Sequence, residues 1–145
     1  HFLMKQMLCQ MEKQGEGSIL NVASSAGLLP AGPYMATYYA TKSYVTSLTR
    51  AVALELKEKK SNVYVGALCP GPVDTEFNKV ANVEFAIPSI TPTYCASYAI
   101  HKMEKRKIVI VPKNKMKVLA FISRVLPQSL VIRMTARQQK KKRNW

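Results

Sequence analysis

Tyr38 and Lys42 are the two residues whose types and spacing best suit chemistry. They lie four residues apart in a stretch predicted to be helical, so their side chains share one face and can approach each other across one turn. A tyrosine with a pKa of about 10 exchanges protons poorly near neutrality, but a neighbouring ammonium group favours the phenolate and lowers the pKa. The pair therefore predicts a tyrosine that exchanges a proton with a carbonyl oxygen.

Ser25 is the third candidate. It follows an apolar run that begins at Ile19 and is predicted to be a strand, and open α/β sheets bind their ligands at the carboxyl ends of strands. Its hydroxyl can donate to the same oxygen as Tyr38, and Ser24 is the alternative serine. A tyrosine and a lysine at this spacing also occur on ordinary helix surfaces, so the pair by itself leaves a purely structural role open.

The elements that must position these residues follow from apolar spacing and from helix-ending and turn residues. Helical spacing ends at Gly15, and a helix capped by Thr91 follows the second strand. The remaining predictions are a short strand with its carboxyl-end loop in SILNVASS, a long helix from about Pro33 to Lys60, a strand from Val63 to Cys69 and a strand in KIVIVP. Strands that alternate with helices favour a parallel α/β sheet.

Three strands are too few for a complete parallel sheet that is covered on both faces. We therefore expect an α/β fold in which residues 1–113 form the C-terminal half of a doubly wound, Rossmann-like domain. Its edge strand near Ile19 would pair with strands that the sequence does not contain. The first residue is His1, which we interpret as an artificial or proteolytic start.

Residues 114–145 predict a basic, amphipathic helical extension. The formal net charge is +14, and the sequence after His101 contains fourteen lysines and arginines but only one acidic residue, Glu104. Apolar residues recur at helical spacing, break at Pro127 and resume, which predicts two short helices, and the final QQKKKRNW predicts a solvated tail. Such an extension is typical of an interfacial helix that contacts an anionic membrane, or of a helix that covers an apolar substrate site. The alternative is a charged surface that is simply solvated.

Several classes of function are disfavoured. The charge is confined to one end of the chain, which argues against nucleic acid as a partner, and Arg124, Pro127 and Arg133 interrupt the longest apolar stretch, which argues against a membrane span. Three widely spaced cysteines predict neither disulfides nor a zinc site, and the histidines lack a second ligand nearby, so we expect no metal and a cytoplasmic protein that is membrane-associated at most.

Three motifs in order resemble the short-chain dehydrogenase/reductase family. They are NVASSAG at 21–27, YYATK at 38–42 and CPGPVDT at 69–75, and the resemblance extends over residues 1 to about 112. It implies an oxidoreductase that interconverts a carbonyl and an alcohol with NAD or NADP, with a hydrophobic or lipid-like compound as a candidate substrate. The unpaired edge strand near Ile19 predicts a homo-oligomer, and in this family the first helix and the long helix commonly form the subunit interface.

The resemblance assigns a role to each candidate. Tyr38 would be the general acid in reduction and the base in oxidation, Lys42 would lower its pKa and hold the nicotinamide ribose, and Ser25 would position the substrate oxygen. The cofactor-binding loop would comprise Pro70, Gly71, Val73 and Thr75. Residues 76–88 would form the variable substrate loop.

Two parts of the family pattern are absent from the sequence. No glycine-rich loop for the pyrophosphate occurs, and the family's catalytic asparagine would precede His1. No residue is assigned to the adenosine ribose, so NAD and NADP stay equally open. We therefore expect this chain by itself to be inactive. The alternative is that it is a truncated remnant that serves as an interaction or membrane-associating module.

Overall fold

The computed structural model describes residues 1–76 and 88–142. In these ranges the chain forms five α-helices, three strands and one 3-10 turn. The helices are α1 (Phe2–Gln14), α2 (Ala36–Glu58), α3 (Pro92–Glu104), α4 (Asn114–Val125) and α5 (Gln128–Lys142). The strands are β1 (Ser18–Val22), β2 (Tyr64–Leu68) and β3 (Val109–Ile110), and Ser25–Leu28 forms the 3-10 turn, called here the serine turn.

The three strands form one parallel sheet in the order β1-β2-β3. β2 lies in the middle and all five of its residues are buried, as expected for a strand that is covered on both faces. The parallel α/β prediction is confirmed. β3 is shorter than the predicted strand over 107–112, and Pro112 has no N–H with which to continue the ladder.

Helices cover both faces of the sheet. On one face, α1 and α2 pack against alternate residues of the strands through a cluster that includes Met4, Leu56 and Val65. Met116 of α4 joins a neighbouring cluster with Ala67 and Cys69. The opposite face is covered by α3, in a cluster formed by Leu68, Cys95, Ala99 and Ile110.

The ends of the helices follow from local chemistry. Gly15 ends α1 in the left-handed conformation, with φ of 82°, as predicted. The Thr91 side chain accepts from the backbone N–H of Tyr94 and caps α3, which is also as predicted. The long helix begins at Ala36 instead of Pro33, because Tyr34 has a φ of 67°, which is incompatible with a right-handed helix.

The serine turn packs closely on α2. A Cβ atom added to Gly27 would lie 2.4 Å from the backbone oxygen of Lys42 and 2.7 Å from Oγ1 of Thr46. Thr46 donates to that same Lys42 oxygen at 2.9 Å, so the atoms that Gly27 approaches are held in place by hydrogen bonding within α2. Glycine is therefore required here by the close approach of two backbones.

The C-terminal end differs from the prediction. The two helices and the break at Pro127 are present, but the predicted tail does not begin at Gln138, because α5 continues to Lys142. Gln139 is 3% exposed, and its Nε2 donates to the hydroxyl of buried Tyr39 at 2.8 Å. The proposed boundary between domains at residue 113 stays a prediction.

We expect Gln139→Ala to lower the free energy of unfolding by about 1–3 kcal/mol, because it leaves the buried Tyr39 hydroxyl without its partner. Urea denaturation of the full-length protein measures the change. The matched control is Gln138→Ala in the same turn, for which we expect a change within about 0.5 kcal/mol. Equal losses in the two variants would contradict the role given to the hydrogen bond.

We expect Gly27→Ala to destabilise the full-length protein by about 1–3 kcal/mol, because the added methyl group collides with backbone instead of a flexible side chain. Gly15→Ala is the control: its Cβ would meet no atom within 4 Å, although its positive φ itself costs about 1 kcal/mol. Only Gly27→Ala should displace α2 and also lower activity. A stable, fully active Gly27→Ala protein would contradict this account.

Candidate functional site

The segments that follow β1 and β2 lie side by side at the carboxyl edge of the sheet. The backbone N–H of Ala23 donates to the oxygen of Leu68 at 2.8 Å, and the N–H of Ser25 donates to the oxygen of Pro70 at 2.8 Å. Parallel pairing thus continues beyond the ends of both strands. It places Ser25 beside the loop that begins at Pro70.

The two serines have different surroundings. Ser24 is 9% exposed, and its Oγ accepts from the backbone N–H of Ala26 at 3.1 Å, so it caps the serine turn. Ser25 is half-buried, and its hydroxyl makes no hydrogen bond to any residue that the structure describes. Ser25 is therefore better suited than Ser24 to bind a ligand.

Tyr38 and Lys42 lie on the first turns of α2, and both are half-buried. Nζ of Lys42 donates to the backbone oxygen of Val22 at 3.1 Å, and it lies 5.8 Å from the centroid of the Tyr38 ring. The ammonium group is thus held at the end of β1, beside the tyrosine. The structure brings the tyrosine and the lysine together at the end of the strand that leads into the serine turn.

The neighbouring tyrosines differ from Tyr38. Tyr39 is 8% exposed and its hydroxyl is bonded to Gln139; burial raises its pKa, an effect that the Gln139 hydrogen bond reduces. Its ring also lies against Gly32, where an added Cβ would be 2.2 Å from the ring. Tyr34 is exposed, with the ammonium of Lys140 5.5 Å from its ring centroid. Tyr39 is therefore a packing residue.

The loop after β2 is fixed at two points. Val73 forms a parallel bridge with Ile90, in which the N–H of Asp74 donates to the Ile90 oxygen and the N–H of Ile90 donates to the Pro72 oxygen. Thr75 is exposed and lies just before the residues that are not described. Apart from its two ends, the predicted substrate loop over 76–88 lies outside the described residues.

Gly71 has a packing role that sequence reasoning missed. A Cβ atom there would lie 3.0 Å from Cγ of Met116, so the glycine lets α4 approach the loop closely. Because Met116 is buried against the same core as Cys69, α4 supports the loop from behind. The C-terminal extension thus contacts the candidate site directly.

Cys69 is not a candidate nucleophile. The residue has no exposed surface, its Sγ lies 3.8 Å from Oγ1 of Thr46, and burial raises the pKa of its thiol, which disfavours the reactive thiolate. All three cysteines are free. Among residues 1–76 and 88–142, no three His, Cys, Asp or Glu side chains are grouped so that they could hold a metal ion.

A cavity of about 330 Å³ lies at the opposite edge of the sheet. It is lined by residues at the end of α2 and at the starts of β2 and β3, including Lys60, Tyr64 and Arg106. Arg106 donates to the backbone oxygens of Asn62 and Val63, so its guanidinium group already binds the protein's own backbone. The candidate site is therefore the serine-tyrosine-lysine edge and not this cavity.

Comparisons with known proteins give sequence relatives and structural neighbours of this chain. The chain is 46% identical over 65 residues to D-beta-hydroxybutyrate dehydrogenase of Rhizobium meliloti (strain 1021), which covers 45% of this chain and 24% of the relative. It thus spans about a quarter of the length of the curated relatives that it matches.

Two solved structures share the fold. A short-chain dehydrogenase from Sphingobium yanoikuyae in complex with NADPH superposes with a TM-score of 0.63 at 24% identity, covering 80% of this chain and 46% of that one. A short-chain dehydrogenase/reductase from Burkholderia phymatum in complex with NAD also has a TM-score of 0.63, at 25% identity, and covers 74% of this chain and 47% of that one.

The family model described as short chain dehydrogenase matches residues 1–84, which include the serine turn, the Tyr38 helix and the loop after β2. That match covers more than half of the 145 residues. The chain therefore belongs to the short-chain dehydrogenase family.

Proposed function

We propose that the full-length protein containing this chain interconverts a carbonyl compound and an alcohol, with NAD or NADP as the hydride carrier. The observation that carries the proposal is the position of the Lys42 ammonium group, bonded to the Val22 oxygen and 5.8 Å from the centroid of the Tyr38 ring. It is supported by family membership and by relatives named as dehydrogenases.

Tyr38 is the proton donor in reduction. Its hydroxyl proton passes to the substrate oxygen as the carbonyl carbon gains a hydride, and the reverse transfer accompanies oxidation of the alcohol. The positive charge of Lys42 stabilises the negative charge that the Tyr38 oxygen then carries. Solvent reprotonates the tyrosine before the next turnover.

Ser25 orients the substrate. Its half-buried hydroxyl donates a hydrogen bond to the substrate oxygen and holds that oxygen toward Tyr38. The hydrogen bond between the Ser25 N–H and the Pro70 oxygen fixes the serine backbone, so only the side-chain torsions have to be ordered when substrate arrives.

The residues at this edge fit the nicotinamide riboside end of a dinucleotide. The Lys42 ammonium can donate to ribose hydroxyls, and the loop of Pro70, Gly71, Val73 and Thr75 offers backbone groups and an exposed hydroxyl. The nicotinamide, when bound, supplies or accepts the hydride. The sequence has no glycine-rich loop for the pyrophosphate, so these residues cover one end of the cofactor.

The substrate is a small molecule with a ketone or secondary alcohol, and an apolar or lipid-like compound is our candidate because Met116 of α4 lies beside Gly71 at the site. We also propose that the protein self-associates through the outer surfaces of α1 and α2, where Leu3, Tyr44 and Leu54 are exposed.

Three free cysteines support a cytoplasmic location. In the part of the chain that is described, no helix is long and apolar enough to cross a membrane.

We expect Tyr38→Phe in the full-length protein to lower kcat by at least about a hundredfold, because the proton donor is lost while the ring is retained. Binding of the nicotinamide cofactor, measured by calorimetry, should change little. Tyr94→Phe on α3, which removes an exposed tyrosine hydroxyl away from the site, is the control and should stay fully active. Near wild-type turnover by Tyr38→Phe would refute the role of Tyr38.

We expect residues 1–145, produced alone, to show no turnover of NAD or NADP with a ketone or alcohol that the full-length protein uses. The physical reason is the missing pyrophosphate loop, whose backbone N–H groups bind the most highly charged part of the cofactor. Cofactor absorbance measures the rate, and the full-length protein is the positive control. Measurable turnover by the isolated chain would overturn this expectation.

A further inference from the structure

Helix α4 has apolar residues on two opposite faces. Its inner face carries Met116 and Ser123, each 6% exposed, and Leu119 packs against the core cluster of Ala67 and Cys69. These contacts account for the helix being docked on the domain. They leave the residues of the outer face without a role in the core.

The outer face carries a continuous apolar stripe. Its members follow one another at spacings of three, one and three residues, so they align along one side of the helix. This outer stripe consists of Val118 (57% exposed), Phe121 (69%), Ile122 (42%) and Val125 (72%). Leu130 and Met134 of α5 are also exposed, at 44% and 53%. Scattered exposed apolar residues are ordinary, but an aligned set that includes a phenylalanine indicates a contact surface.

Positive charge borders the outer stripe. On a helical projection Lys115 lies on one side of the stripe and Arg124 lies on the other, and both are exposed. Exposed Arg133 and Arg137 add to this charge on α5. No acidic residue follows Glu104 in the sequence.

We propose that the outer stripe docks on an anionic lipid surface. The apolar side chains would enter the boundary between headgroups and acyl chains, while Lys115 and Arg124 would contact the negatively charged headgroups. The arrangement is that of a helix that lies in the plane of the interface.

The distribution of charge argues against a second copy of the chain as the occupant. A two-fold contact through this surface would bring the same cations together, and α4 and α5 contain no carboxylate to pair with them. An anionic lipid surface supplies the missing negative charge over the whole length of the stripe. The proposal does not depend on the proposed function, and its readout is binding and not turnover.

Binding is measured by sedimentation of the full-length protein with vesicles. We expect the protein to bind vesicles of phosphatidylcholine mixed with phosphatidylserine, to bind pure phosphatidylcholine vesicles much more weakly, and to be released as salt is raised. Absence of binding to the mixed vesicles, or equal binding to both kinds, would overturn the proposal.

The apolar contribution is tested with Phe121→Gln combined with Val125→Gln. We expect partitioning onto the mixed vesicles to fall by about tenfold or more, because both side chains are exposed and would enter the lipid. The control is Tyr94→Gln combined with Ile100→Gln on α3, which removes two exposed apolar side chains from another helix and should bind as wild type. Binding unchanged in the first variant would refute the role of the stripe.

The contribution of charge is tested with Lys115→Gln combined with Arg124→Gln. We expect a loss of about fivefold for each cation on the mixed vesicles and little change on neutral ones. Lys105→Gln combined with Lys107→Gln, which removes the same charge at the opposite edge of the sheet, is the control. Equal losses in the two variants would show non-specific attraction and would contradict the proposal.

Sedimentation velocity separates the membrane from self-association. The wild type and the Phe121→Gln, Val125→Gln variant should have the same oligomeric state without vesicles. If that variant instead dissociates an oligomer and vesicle binding is unaffected, the stripe is a contact between copies and the membrane proposal fails. Circular dichroism confirms that each variant is folded.

Discussion

The close contact between Gly27 and the backbone of Lys42 determines the geometry of the candidate site. It fixes the distance between the turn that follows β1 and the helix that carries the tyrosine and the lysine. Since Ser25 lies in that turn and Tyr38 is one turn of helix from Lys42, a change in this distance moves all three residues relative to one another. The site therefore depends on the absence of a single methyl group.

Much of the fold could be predicted because its signals are local. A glycine in the left-handed conformation ends α1, Thr91 begins α3, and a run of apolar residues becomes the fully buried β2. The errors came from features that apolar spacing does not reveal. The positive φ of Tyr34 delays the start of α2, and the edge position of β3 beside Pro112 leaves it with two residues.

The side chains of the candidate site could be named from the sequence, but their supports could not. The acceptor for Lys42 is the backbone oxygen of Val22, which no residue type encodes. The sequence explains Gly71 by a ligand alone, although Met116 also requires it to be small. QQKKK has no apolar spacing and predicts a solvated tail, whereas the amide group of Gln139 satisfies a buried hydroxyl.

The hydrogen bond between Gln139 and Tyr39 joins residues that are 100 positions apart in the chain. On the ribosome, α2 is made long before the donor for that hydroxyl exists, so the N-terminal turns of α2 cannot reach their final packing until α5 has emerged. The order of synthesis thus makes assembly of this part of the site a late event that follows the emergence of α5. A message that ends prematurely within α5 encodes every residue of the serine-tyrosine-lysine set and yet leaves the helix that carries two of them incompletely packed.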